Sequence, residues 1–139
     1  MNKIFQIGNV TVYRFKYMMI IHHERPMSKF SAMALFPPLI LLWKKSELHN
    51  YRLYKHECIH HRQMLETLII PFYIIYLLEY FYSRFKGRNQ LDAYRFISFE
   101  REAYRGEHVK NYASKPRWYG FTKFFRIEEV KKANFNEKK

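Results

Sequence analysis

His56, Glu57 and His60 stand in the order HExxH within the stretch YKHECIHHRQML, residues 54–65. On a helix four residues turn through about 400°, so the two imidazoles stack on one face and can grip one metal ion. Glu57 lies about 100° round from His56, within reach of a water on that metal. Neutral imidazole nitrogen suits zinc, and a carboxylate beside a metal-acidified water can take its proton. Gln63 follows His60 by three positions, where its amide can orient a ligand or touch substrate.

Two histidines leave a catalytic zinc site one protein ligand short, because such a site uses three plus a water. Glu100 and Glu102 in FEREAY, residues 99–104, are the downstream candidates, on an expected helix that can pack beside the first. Both also fit a plain charged helix face alternating with Arg101 and Arg105. Tyr104, four residues after Glu100 on the same helical face, is a candidate hydrogen-bond donor to an oxyanion, with His108 behind it.

The metal-binding helix is expected over residues 51–70, with Ser46 or Asn50 as N-cap and Leu53, Met64 and Leu68 bracketing the histidines along one side. Pro71 should end or kink it. Residues 72–86 resume helical character with apolar residues nearly all round, and are expected to form a buried central helix; docking on a membrane surface is the other reading. Glu79 within this segment should pair with a basic residue or mark a site. Gly87 closes the helix, and a charge-rich helical stretch follows at 98–112. The aromatic segment 117–125 is expected to pack as a C-terminal turn.

Upstream, residues 9–21 are β-branched and aromatic with partial alternation and read as one strand; residues 22–29 then break it as a loop, where His22, His23 and Glu24 could ligate a metal but are expected to be exposed. Residues 39–44 read as a strand just ahead of the metal-binding helix. This strand is either an open edge that exchanges main-chain hydrogen bonds with an extended substrate or an ordinary core strand. His49 is expected to be a loop residue, His61 structural or solvated, and Cys58, inside HECIH, structural. The resulting class is α+β: short N-terminal antiparallel strands, a metal-binding helix, then further helices. One domain is expected over residues 1–130, followed by a disordered basic tail, 131–139.

The 139 residues carry 25 Lys and Arg against 12 Asp and Glu, a net charge of +13. Such an excess favours anionic partners, phospholipid or nucleic acid, unless it is simply a solvated surface. The 12 Tyr and 13 Phe could stack on bases, but they concentrate in apolar runs that a core explains better, which makes nucleic acid the weaker partner. A single cysteine excludes an internal disulfide. The apolar runs 32–43 and 68–78 fall short of the ~20 residues that span a bilayer, and no secretory signal is evident. A cytoplasmic location is expected, with peripheral membrane contact left open.

HExxH followed by FEREAY resembles the zincin metallopeptidases, specifically the gluzincin type, in which a helix after HExxH donates a glutamate, often within ExxA. Glu100, Arg101, Glu102 and Ala103 fit ExxA, which carries the ligand role to Glu100; Tyr104 stands where the family usually has Asp. The pair HxxQ, His60 to Gln63, with EREAY looks like that of small bacterial zincin-like proteins. The resemblance covers roughly residues 39–112. It implies a zinc-dependent metallopeptidase acting on peptide or amide bonds of a peptide or protein substrate, with Zn2+ held by His56, His60 and Glu100 and with Glu57 as base. The alternative is a non-catalytic basic protein with a structural metal site, docking on a membrane surface or nucleic acid.

Overall fold

The computed structural model describes residues 1–15, 17–24, 31–112 and 118–125. The proposed basic tail, residues 131–139, the end of the expected domain, residues 126–130, and most of the loop at 25–29 lie outside them. Alternation of β-branched and aromatic residues builds an N-terminal sheet of five strands. These are β1 (Asn2–Ile7), β2 (Val10–Phe15), β3 (Met18–His23), β4 (Ala32–Ala34) and β5 (Leu39–Leu42), in the spatial order β1-β2-β3-β5-β4. Four helices follow: α1 (Tyr51–Thr67), α2 (Ile69–Phe85), α3 (Gln90–Phe96) and α4 (Ser98–Gly106). The class is therefore α+β. Most strand pairs are antiparallel, but β3 and β5 run parallel because β4 lies outside β5.

The single strand expected over residues 9–21 is instead two. Phe15 pairs with Met18, so the chain reverses between them and β2 and β3 form a hairpin. Gly8, at φ +53°, makes the earlier reversal into β2, a conformation that costs glycine least. His22 and His23 belong to β3 and not to a loop, and His22 is buried on the same face as Met18 and Ile20. The open-edge role drawn for residues 39–44 also moves: β5 is an interior strand, and β4 is outermost.

Asn50 caps α1, its side-chain oxygen accepting from the backbone N–H groups of Arg52 and Leu53 at 3.1 Å each. The helix then sits between sheet and helices. Tyr54 packs with Met18, Ile20, Ile40 and Leu42 on the sheet; Ile59 meets Ala103 and Tyr112; Met64 joins Phe72, Ile97, Phe99 and Phe121. Phe121, in a 3-10 turn at Gly120–Phe124, stacks 4.4 Å from Phe99, so the aromatic C-terminal segment packs from Gly120 onward.

The break after α1 comes at Leu68, at φ +64°, three residues before the proline. Pro71 falls in the first turn of α2, where its missing N–H leaves no bond unmade, and α2 leaves α1 at 111°. Burial of α2 differs from expectation: only Phe72 and Ser83 are buried, Ile75, Tyr76 and Tyr80 are partly buried against the core, and most of the other apolar side chains face outward. Glu79 turns inward instead and accepts from the Ser98 backbone N–H at 2.6 Å, capping α4, whose own cap residue Ile97 offers no side-chain bond. Among the described residues no single helix is long and apolar enough to cross a membrane.

Candidate metal centre

Helical spacing on α1 brings the Nε2 atoms of His56 and His60 to 3.1 Å. Across the α1–α4 contact, Glu100 lies on the first turn of α4 with one carboxylate oxygen 3.3 Å from His56 Nε2 and the other 3.3 Å from His60 Nε2. All three side chains are buried, and together they form a group that could hold a metal ion. The Glu100 carboxyl is the one that α4 delivers to the imidazoles.

The other ring nitrogens decide what fills the gap. His56 Nδ1 stands 2.8 Å from Glu107 Oε2, an acceptor. His60 Nδ1 stands 2.8 Å from Gln63 Oε1. The Gln63 amide nitrogen donates to the Phe99 carbonyl at 3.1 Å and to Glu102 at 2.8 Å, so the amide must turn its oxygen to His60. Both imidazoles therefore keep a proton on Nδ1 and, when neutral, present a lone pair at Nε2. Two nitrogen lone pairs and two carboxylate oxygens then converge with no hydrogen between them. Only an added proton or a cation relieves that arrangement.

Titration behaviour says the same. Burial alone would lower His56, but bonds to Glu100 and Glu107 outweigh it and lift the imidazole to about 10. Burial would raise Glu100, and the two histidines more than reverse it, holding the carboxyl well below the usual range. The centre thus draws positive charge to itself.

Glu57 is buried, and one of its carboxyl oxygens has no hydrogen-bond partner among the described residues. Burial raises its pKa, opposed by the two histidines and by a bond from the Ala34 backbone N–H. A buried oxygen left unpaired beside two metal-type imidazoles is where a reacting water or its proton fits. Ala34 belongs to β4, so the outermost strand lies directly against Glu57.

Tyr104 sits at the rim, 40% exposed, its ring 4.7 Å from that of His56. Burial raises its phenol, so at neutral pH it remains a donor. Glu102 does not join the cluster. Its carboxylate accepts from Gln63, from the Tyr112 hydroxyl at 3.1 Å and from Arg62 at 3.3 Å, so it fixes His60 at one remove. His108 is exposed, 2.6 Å from Arg52 and 3.5 Å from Glu107. That position places it beside Glu107, the support of His56. His61 is buried apart from the cluster, 3.1 Å from the Leu39 carbonyl. Cys58 touches Tyr17 and Met18.

Two participants escaped the sequence reading. Glu107 is the carboxylate that orients His56, held in turn by Arg52 at 2.7 Å. Its position seven residues after Glu100, two helical turns on, is a signal that was present. Tyr76, from α2, donates to Glu100 Oε1 at 2.8 Å and bonds with Tyr94. It lies on an apolar helix with no local pattern to mark it. Comparison with protein-family models, curated proteins and solved structures gave no match.

Proposed function

We propose that the chain is a zinc-dependent metallopeptidase of gluzincin type, hydrolysing peptide or amide bonds. The observation that carries this reading is the convergence of His56, His60 and Glu100 beside the unpartnered oxygen of Glu57. Zinc is the metal we favour. Two imidazoles and a carboxylate are a known catalytic donor set, and ligands on a tetrahedral zinc with bonds of about 2.0–2.1 Å stand about 3.3 Å apart. Here the two imidazole nitrogens stand 3.1 Å apart, each with one of the two Glu100 oxygens at 3.3 Å, and one donor atom from each residue can be chosen so that all three lie within 4.8 Å of one another.

A zinc ion in this centre would polarise a scissile carbonyl and bring the pKa of a water towards ~7. Glu57 would take the water proton and return it to the leaving amine, a task for which a carboxyl raised by burial is suited. Tyr104 would donate to the carbonyl oxygen as it gains charge. Glu107 and Gln63 would hold the two imidazoles in the Nδ1–H form, and Tyr76 would fix Glu100. An extended substrate would lie along β4, the strand that borders Glu57, in place of the interior β5.

The test uses zinc-loaded protein, a mixed peptide library and mass-spectrometric detection of cleavage. Wild type should cut peptides, and Glu57→Gln should bind zinc equally well yet lose about 10²-fold or more in rate. Equal turnover by the variant would remove Glu57 as base; no cleavage by metal-loaded wild type of any peptide would remove the peptidase reading.

A further inference from the structure

Ile70, Ile74, Leu77, Leu78, Phe81 and Phe85 are each between 51% and 92% exposed. At 100° per residue these six fall within one arc of about 100° along α2. Tyr73 and Tyr82, 37% and 45% exposed, flank the arc on its two sides. The helix's one acid, Glu79, lies opposite the arc and is bonded to Ser98. Solvated helices carry polar residues on the outside; a bare apolar arc of this length marks a binding surface.

We propose that this arc of α2 docks the protein on an anionic lipid membrane, lying in the plane of the interface. Charge selects the occupant. Glu57, Glu66, Glu100, Glu102 and Glu107 are buried, and among the described residues the exposed acids are Glu24 and Asp92 alone. Arg14, Lys45, Arg84, Lys86, Arg95 and Arg105 are all exposed, so the surface is more cationic than a net charge of +13 implies. A second copy of the chain would meet that charge with its own, whereas anionic headgroups neutralise it.

The edges of the arc fit the same occupant. Tyrosine is favoured at the level of lipid headgroups, and Lys86 extends over the Tyr82 ring, 5.5 Å from its centre, at the end of the helix. Docking in the plane suits a helix that leaves α1 at 111° and is too short to span. Phe72 and Tyr76 touch the metal cluster from the opposite side of α2. The cluster would then stand about one helix diameter, ~10 Å, above the lipid. The proposal holds whatever reaction the cluster performs.

The test is flotation of the full chain with vesicles of phosphatidylcholine alone or mixed in equal parts with phosphatidylglycerol. Wild type should float with the mixed vesicles. The double variant Leu78→Glu with Phe81→Glu should partition at least about tenfold more weakly, with an unchanged thermal melt and metal content. Should that variant fail to fold, Ile70→Gln with Ile74→Gln reads the same arc. Wild type that stays down with mixed vesicles would overturn the proposal, as would folded variants that float equally well, which would assign binding to charge alone. A wild-type dimer in sedimentation velocity that the substitutions dissolve would also overturn it, by giving the arc to a second copy.

Discussion

Helices α1 and α2 have the same length, 17 residues each, and meet at Leu68, yet they invert the usual relation between polarity and burial. The polar one is inside: α1 buries His56, Glu57, His60, His61, Gln63 and Glu66. The apolar one is outside: α2 buries only Phe72 and Ser83. Burying polar groups costs free energy unless each finds a partner. In α1 the partners are Glu107, Gln63, Glu100 and Glu102, and what is left over is a set of lone pairs that asks for a cation. In α2 the inner arc supplies Tyr76 and Glu79 to that same assembly, while among the described residues the outer arc stays exposed. On the two proposals made above, the contrast would separate two tasks along one bent pair of helices, chemistry on the first and attachment on the second.

The comparison sharpens first through stability. Ile59, 1% exposed on α1, packs on Ala103 and Tyr112; Ile59→Ala should cost about 2–4 kcal/mol in denaturant unfolding. Leu78→Ala, on the exposed arc of α2, should change stability by no more than about 0.5 kcal/mol. A large loss at Leu78 would mean that the arc is covered in solution.

Next in size is the support of His56. Glu107→Ala removes the acceptor for Nδ1–H and should weaken zinc binding about 10–100-fold in competition with a chelator, with the fold retained. Unchanged affinity would show that Glu107 orients nothing.

The smallest effect is a proton count. Without a metal, His56 is lifted to about 10 because Glu100 and Glu107 outweigh the burial that lowers it. A histidine raised above its unfolded value stabilises the fold fully below that value, about 6.5, and the contribution fades as pH rises through about 10. At pH 7 the metal-free imidazole is therefore charged, and a cation must displace its proton. Calorimetric titration in buffers of different ionisation heat should give release of at least about one proton per metal at pH 7, the imidazole's share, with any ionisation of a metal-bound water adding to it. No release at pH 7 would contradict the charged state.

Legibility followed the range of the interactions. The His56–His60 pair, the Asn50 cap and the closing Gly87 rest on contacts within a turn or two of helix, and local spacing displays them. Glu100 was reachable through ExxA, and Glu107 through its two-turn offset from Glu100. Tyr76 was not, since its partner Glu100 is 24 residues away on another helix and nothing around Tyr76 distinguishes it. The orientation of α2 was hidden for a related reason: a helix apolar nearly all round gives no preferred face, so only its packing against α1, α3 and α4 shows which side is inside. The hairpin within residues 9–21 was hidden because alternation continues across the reversal, and β4 took the edge because of where the chain returns, not because of its three residues.

Whether His56, His60 and Glu100 together hold one divalent cation is read by elemental analysis of untagged protein. Wild type should carry about one zinc per chain, and both His56→Ala and Glu100→Gln should lose it while remaining folded by circular dichroism. Metal-free wild type after exposure to zinc, or a full complement of zinc retained by both folded variants, would contradict it.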